Sequence, residues 1–220
     1  MKLAELLAIR PGVTAVVGGG GKTALLRALG EELAGTVLLC TTTKIFPFPE
    51  LPCARNAAEL DRLRAANRLL CAGRNVPGSG KLGPPDVPMA ALAARFDYVL
   101  IEADGAAGRP LKAHAPHEPA IPPEAARTIL VVGASGFGRP IREAAHRPER
   151  YARLAGAGMD DIATPRTQAA VLRAEGLHDL VYVNQAETPE AAAAARALAA
   201  YLDGPVLAGS LRRGEFFKCW

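Results

Sequence analysis

Cysteine is scarce in this chain, and none of it comes in close pairs. Cys40, Cys53, Cys71 and Cys219 are the whole set, and no two form a C-x-x-C step. So low a density does not make a disulfide scaffold. The missing paired spacing also argues against a structural zinc site. Cys40 and Cys71 lie in apolar, strand-like runs, where a free Cys behaves as a small hydrophobe. Long apolar runs are missing too. No segment approaches the roughly 20 residues that span a bilayer, so no membrane partner is expected. Neither sign of charge dominates. The 26 basic and 22 acidic residues leave +4, too small an excess to argue for a nucleic-acid partner. The start, MKLAELLAIRPG, places Glu5 inside its apolar part and stops at Pro11-Gly12. It reads as a short amphipathic helix and not a signal peptide, so the expected location is cytoplasmic. In HAPHE, Pro116 separates His114 from His117 and breaks any shared helical face. Internal repeats and long linkers are absent, and residues 1–220 read as a single domain.

What the chain does have is alternation. VTAVV (Val13–Val17), TVLLC (Thr36–Cys40), RLLCA (Arg68–Ala72), YVLIE (Tyr98–Glu102), TILVV (Thr128–Val132), LVYVN (Leu180–Asn184) and PVLAG (Pro205–Gly209) are short continuous apolar runs. Between them lie stretches with helical spacing: Lys22–Gly35, Ala57–Asn67, Met89–Phe96 and Pro189–Leu202. RNVPGSGKLGPP (Arg74–Pro85) reads as a mobile Gly/Pro-rich loop. The stretch from about residue 140 to 175 reads as a small helical segment or lid. Apolar strands alternating with helices predict an α/β three-layer sandwich with a mostly parallel sheet.

Four consecutive glycines, Gly18, Gly19, Gly20 and Gly21, stand between the first strand and the first long helix, and Lys22-Thr23 follow. In ordered structure each glycine costs roughly 0.5–1 kcal/mol relative to alanine, so the run asks for a reason. A Gly-rich strand-to-helix turn points backbone N–H groups into one concavity, and the helix end adds positive potential. Lys22 brings a full charge and Thr23 a hydroxyl suited to Mg²⁺. Together these make a phosphate-binding P-loop. It is not the usual G-x-x-x-x-G-K-[ST], because Val16 stands where the first Gly belongs. What remains, G-x-x-G-K-T, is two residues shorter and resembles the loop of the Mur-type amide ligases.

FDYVLIEADGAAGRPLK (Phe96–Lys112) delivers Glu102 and then Asp104-Gly105 at a strand's carboxyl end. This is Walker B-like: one carboxylate contacts Mg²⁺ while the other orients an attacking group, and the sequence leaves open which does which. CTTTK puts Thr42, Thr43 and Lys44 at the end of the second strand, as a further metal or phosphate contact in the manner of a switch region. VNQAE offers Asn184 and Glu187 as a degenerate form of the N-K-x-D element that reads guanine. VVGASGFGRP is a second Gly-rich loop without Lys-Thr. AHRPER brings His146, Arg147 and Arg150 to a helix start, either as an anion contact or as a solvated face.

Taken in order, VVGGGGKTALL, TTTKIF, IEADGAAGRPLKAH, HEPAIP, VVGASGFG, HRPE and VNQAE resemble the YqeC family over nearly the whole chain. The resemblance implies a P-loop NTPase-like fold. It also implies an accessory role in maturing selenium-dependent molybdenum hydroxylases, with such a hydroxylase or its maturation proteins as partner. Three functional readings stand side by side. One is a Mg²⁺-dependent NTPase using ATP or GTP, with Lys22, Glu102 and Asp104 catalytic and with Thr23, Asp104 and Glu102 at the metal. The second is a Mur-like ligase or small-molecule kinase. The third is a non-catalytic nucleotide- or partner-binding scaffold.

Overall fold

The computed structural model describes residues 2–219. The chain divides into two compact units. One holds the chain through residue 16, Thr23–Gly105 and Ala120–Arg127. The other holds Val17–Lys22, Ala106–Pro119 and the chain from Thr128 on.

The first unit contains α1 (Leu3–Leu6), most of β1 (Gly12–Gly18), α2 (Lys22–Glu32) from Thr23 on, β2 (Val37–Thr41), β3 (Cys53–Ala54), α3 (Ala57–Ala66), β4 (Leu69–Ala72), β5 (Arg74–Val76), β6 (Lys81–Gly83), α4 (Met89–Ala93) and β7 (Tyr98–Glu102). Its sheet runs β1-β7-β2-β4-β3, and every pairing is parallel. The apolar runs explain this. β2 and β7 are buried along nearly their whole length, as strands covered on both faces must be. Register places Val16 and Thr41 on either side of Glu102. The carboxylate therefore arrives at the sheet's carboxyl edge, where open α/β sheets bind ligands.

The second unit contains β8 (Leu111–Lys112), β9 (Ala125–Gly133) from Thr128 on, α5 (Ile141–Ala144), β10 (Ala145–His146), α6 (Pro148–Ala155), α7 (Pro165–Glu175), β11 (Leu180–Asn184), α8 (Pro189–Ala199), β12 (Val206–Ser210) and β13 (Glu215–Lys218). Strand order is β13-β12-β11-β9, parallel except for β13. Helix ends follow sequence rules. Thr164 caps α7 by accepting from Thr167 N, with Pro165 next, and Gly176 closes it in a left-handed conformation. The fold is thus α/β with mostly parallel strands, as expected.

Three local expectations need correction. Arg74–Pro85 is not an irregular loop. β5 and β6 pair as an antiparallel hairpin, docked on the preceding chain by an Ile45–Leu82 bridge. Its Pro-Gly-Ser-Gly tip hides two strands too short to show a period. The 140–175 stretch is not purely helical, because Ala145–His146 pairs in parallel with Leu111–Lys112. The edge strand β13 lies beyond the last expected strand. Its EFFK carries charge at both ends, which obscured an edge position.

Candidate functional site

The glycine run follows β1, and its neighbours in the second unit account for it. Gly20 has φ +81, and a Cβ there would stand 2.4 Å from both N and Cα of Gly133. Gly19 has an ordinary φ, yet a Cβ would meet Arg109 O at 2.6 Å and Pro110 O at 2.9 Å. The same would hold at Gly18 against Val131 O (2.3 Å) and at Gly21 against Asn184 Nδ2 (2.4 Å). Hydrogen bonds fix the packing. Gly19 N donates to Val131 O (2.9 Å), Gly20 N to Arg109 O (3.1 Å), and Gly133 N to Pro110 O (2.9 Å). At Gly18, Gly19 and Gly20 backbone packs on backbone, and no side chain fits between.

Lys22 is buried, and its Nζ donates to Gly18 O at 2.7 Å. The ammonium is thereby held against the loop's own backbone. Asn184 is buried and braces the glycine loop. Its Nδ2 donates to Gly20 O (2.9 Å), while its Oδ1 accepts from Tyr182 Oη and from Leu211 N (3.3 Å each). Burial pushes the Tyr182 phenol's pKa up, keeping it a neutral donor.

Thr23, Glu102, Asp104 and Thr41–Lys44 belong to the first unit. Thr23 Oγ1 donates to Glu102 Oε2 at 2.8 Å. Glu102 is 7 % exposed and Asp104 fully buried. β7 ends at Glu102, so the strand alternation that would aim both carboxylates alike does not reach Asp104. Thr41 Oγ1 donates to Glu102 O (2.7 Å) and accepts from Thr43 N (2.9 Å). Thr42 N also donates to Glu102 O, at 3.2 Å. The Thr42 hydroxyl oxygen is buried without a partner among the described residues. Lys44 is exposed. Thr43 and Lys44 line a cavity of about 290 Å³ with Arg74, Asn75 and the hairpin's Pro77 and Pro84.

Hard cations such as Mg²⁺ take oxygen ligands, commonly one or two carboxylates with substrate phosphates and water. The Thr23 hydroxyl on the Glu102 carboxylate fits that donor chemistry. Among the described residues no group of three or more His, Cys, Asp and Glu could hold a metal by itself.

Other motif residues turn inward. Glu187 Oε1 accepts from Ser210 Oγ (2.7 Å), and Oε2 lies 3.3 Å from Arg212 Nη2. Gln185, at φ +65, accepts from Ser135 Oγ at 2.6 Å. Arg147, partly exposed, meets an anion of its own chain. It holds Glu118 through two hydrogen bonds (2.8 and 3.3 Å), and Lys112 joins the same carboxylate at 3.2 Å. His114 pairs with Glu175 at 2.7 Å. The sequence does not disclose the Arg109–Pro110 backing or the role of Tyr182, for which contacts distant in sequence are the only sign.

Among the described residues, no helix is long and apolar enough to cross a membrane. Residues 14–149 match the sequence model of the YqeC protein family. This stretch includes the glycine loop, CTTTK and the Glu102 strand, but not Asn184–Glu187. "Uncharacterized protein YqeC" of Escherichia coli (strain K12) is 35% identical over 159 residues, 67% of this chain and 62% of that protein. The aligned part therefore spans less than two thirds of the relative's own length.

Proposed function

The chain belongs to the YqeC family, and from that premise we propose that it is a Mg²⁺-dependent NTP-binding and hydrolysing protein. The observation that carries this is the 2.8 Å hydrogen bond from the Thr23 hydroxyl to Glu102. A P-loop hydroxyl tied to a carboxylate at a strand end is the donor set that holds Mg²⁺ beside a triphosphate. In this reading Gly18–Gly21 bring the chain round so that the N-terminal end of α2 faces the phosphates, with Gly19 N and Gly20 N holding the loop to Val131 O and Arg109 O; Lys22 neutralises the phosphate charge, and Thr23 with Glu102 holds the metal. Mg²⁺, when bound, supplies charge neutralisation on the phosphates. Asp104, buried past the end of β7, orients the attacking group. Asn184 holds the loop by Gly20.

Calorimetry of ATP and GTP binding, with and without Mg²⁺, tests the reading. Lys22→Ala is expected to weaken triphosphate binding roughly 10- to 150-fold, the equivalent of 1.5–3 kcal/mol. Glu102→Gln should bind nucleotide without Mg²⁺ as wild type does and lose the gain that Mg²⁺ confers. Equal triphosphate affinity in wild type and Lys22→Ala overturns the proposal.

The family resemblance extends the proposal to an accessory role in maturing a selenium-dependent molybdenum hydroxylase, the implied partner. Deleting the chain should leave that hydroxylase inactive in its native host, and Lys22→Ala should not restore it. A second reading, phosphoryl transfer to a small anionic acceptor, is favoured by the 290 Å³ cavity lined by Lys44 and Arg74. Nucleoside diphosphate release that depends on an added acceptor would select it over simple hydrolysis.

A further inference from the structure

Cys53 and Cys71 are far apart in sequence but paired in the fold. β3 and β4 run parallel, with Cys53 in register with Cys71 and Ala54 with Ala72. Partners on adjacent strands are about 4.7–4.9 Å apart, inside the Cα separation that a disulfide accepts. The in-register parallel pairing puts the two side chains on the same face of the sheet. Position separates their roles. β3 is a two-residue edge strand, and Cys53 is half-buried there, whereas Cys71 is buried on β4. Arg55 Nη1 is buried with no hydrogen-bond partner among the described residues. An orphaned guanidinium donor is rare enough to need a reason.

We propose that Cys53 and Cys71 form a thiol–disulfide exchange site for low-molecular-weight disulfides, with Cys53 attacking and Cys71 resolving. The Cys53 thiolate attacks one sulfur of the external disulfide. That S–S bond breaks, a thiolate leaves, and Cys53 carries the mixed disulfide. Cys71 then gives its proton to solvent and attacks the Cys53 sulfur, releasing the second thiolate. The two protein thiols are oxidised by two electrons, and the external disulfide is reduced to two thiols.

Charge supports the division. The neighbouring Cys71 thiol lowers the Cys53 thiol's pKa, and Arg55 acts in the same sense, against burial and Glu59. The Cys71 thiol is pushed up by its pairing with Cys53 and by burial. Thiolate fraction and access both favour Cys53 as the attacking group. The remaining cysteines serve as internal controls. Burial pushes Cys40 up to about 12, and half-buried Cys219 is also raised by burial.

The test uses the full reduced chain with oxidised glutathione, quenched by alkylation at intervals and mapped by peptide mass spectrometry. Wild type is expected to reach an internal Cys53–Cys71 disulfide. Cys71→Ser should stop with glutathione on Cys53, and Cys71→Ala serves if the buried hydroxyl spoils folding. Cys53→Ser should leave Cys71 unmodified. Cys53 should react about tenfold faster than Cys219, and Arg55→Gln should narrow that ratio with the thermal midpoint held. The proposal is overturned if Cys53 reacts no faster than Cys219 in wild type, or if it keeps glutathione while Cys71 stays reduced.

Discussion

Two loops of the second unit meet at one hydrogen bond yet are built by opposite means. Gly18–Gly21, after β1, is shaped by backbone. Main-chain atoms of Arg109, Pro110, Val131 and Gly133 approach three of its positions closer than any Cβ permits. Asn184–Glu187, after β11, is shaped by side chains. Asn184 holds Gly20, Gln185 holds Ser135, and Glu187 holds Ser210. A backbone-built loop commits its own N–H groups, Gly19 N to Val131 O and Gly20 N to Arg109 O, and tolerates no added atom. A side-chain-built loop commits its polar groups too, but tolerates substitution at the loss of single hydrogen bonds. The difference orders the expected mutational effects.

Gly20→Ala should be the most damaging change. Left-handed backbone disfavours alanine by about 1–2 kcal/mol. The new Cβ would stand 2.4 Å from Gly133 backbone, where no flexible side chain can yield, and overpacking of that kind costs about 1–3 kcal/mol. Chemical denaturation should show roughly 2–5 kcal/mol of lost stability, with triphosphate binding lost as well. A stable, binding-competent Gly20→Ala protein would break the backbone account of the loop.

Asn184→Ala comes next. It removes one donor and one acceptor from a buried site and leaves Gly20 O and Leu211 N without their partner. About 1–3 kcal/mol of stability should go. Nucleotide affinity should fall with it, because the loop loses its brace. Asn184→Asp is the sharper probe. It keeps the acceptor for Leu211 but sets a carboxylate against Gly20 O, and it should bind triphosphate worse than Asn184→Ala does. Equal affinities would mean that Asn184 braces the loop by packing alone.

The segment behind the glycine loop is itself tied down by charge. Lys112 follows Arg109–Pro110 closely and shares Glu118 with Arg147. Burial pushes the Glu118 carboxyl up. The hydrogen bonds and charges of Arg147 and Lys112 outweigh it, and the pKa lies below the ordinary 4.5. A carboxyl with a depressed folded pKa stabilises the fold above its unfolded value. It loses that contribution as pH falls through the folded value. Glu118→Gln should therefore be less stable than wild type at neutral pH, with the gap closing below about pH 4.5. Thermal midpoints across an acid series measure this, and a gap independent of pH would assign Glu118 a packing role alone.

The sequence revealed these regions unequally. The glycine run, Lys22-Thr23 and the Glu102 strand were readable because each is contiguous and bounded by an apolar strand whose burial sets its direction. The purpose of the four glycines was not readable, since the atoms that forbid a Cβ come from 109–110, 131, 133 and 184. The β5–β6 hairpin was hidden because its two three-residue strands carry no period and its Pro-Gly-Ser-Gly tip resembles open loop. The Cys53–Cys71 register needed the fold, for no spacing links residue 53 to residue 71. Arg147 illustrates the limit from the other side. A basic residue before a helix suggests an anion, and the anion is Glu118 of the same chain.

The smallest effect should fall on Glu187, although its place in VNQAE suggests the carboxylate that would read guanine. Such reading needs both oxygens turned toward the base's N1–H and amino group. Glu187 instead accepts from Ser210 Oγ at 2.7 Å and faces Arg212 at 3.3 Å, so guanine would have to displace both partners. One hydrogen bond exchanged for another nets little, and the GTP-over-ATP preference should be slight, within about threefold. Glu187→Ala should leave that ratio nearly unchanged and cost roughly 0.5–1.5 kcal/mol of stability as the β12 end loses its tether. Parallel GTP and ATP titrations of wild type and Glu187→Ala decide it. A strong GTP preference erased by Glu187→Ala would show that the side-chain-built loop reopens to read a base, and that its committed bonds describe only the nucleotide-free protein.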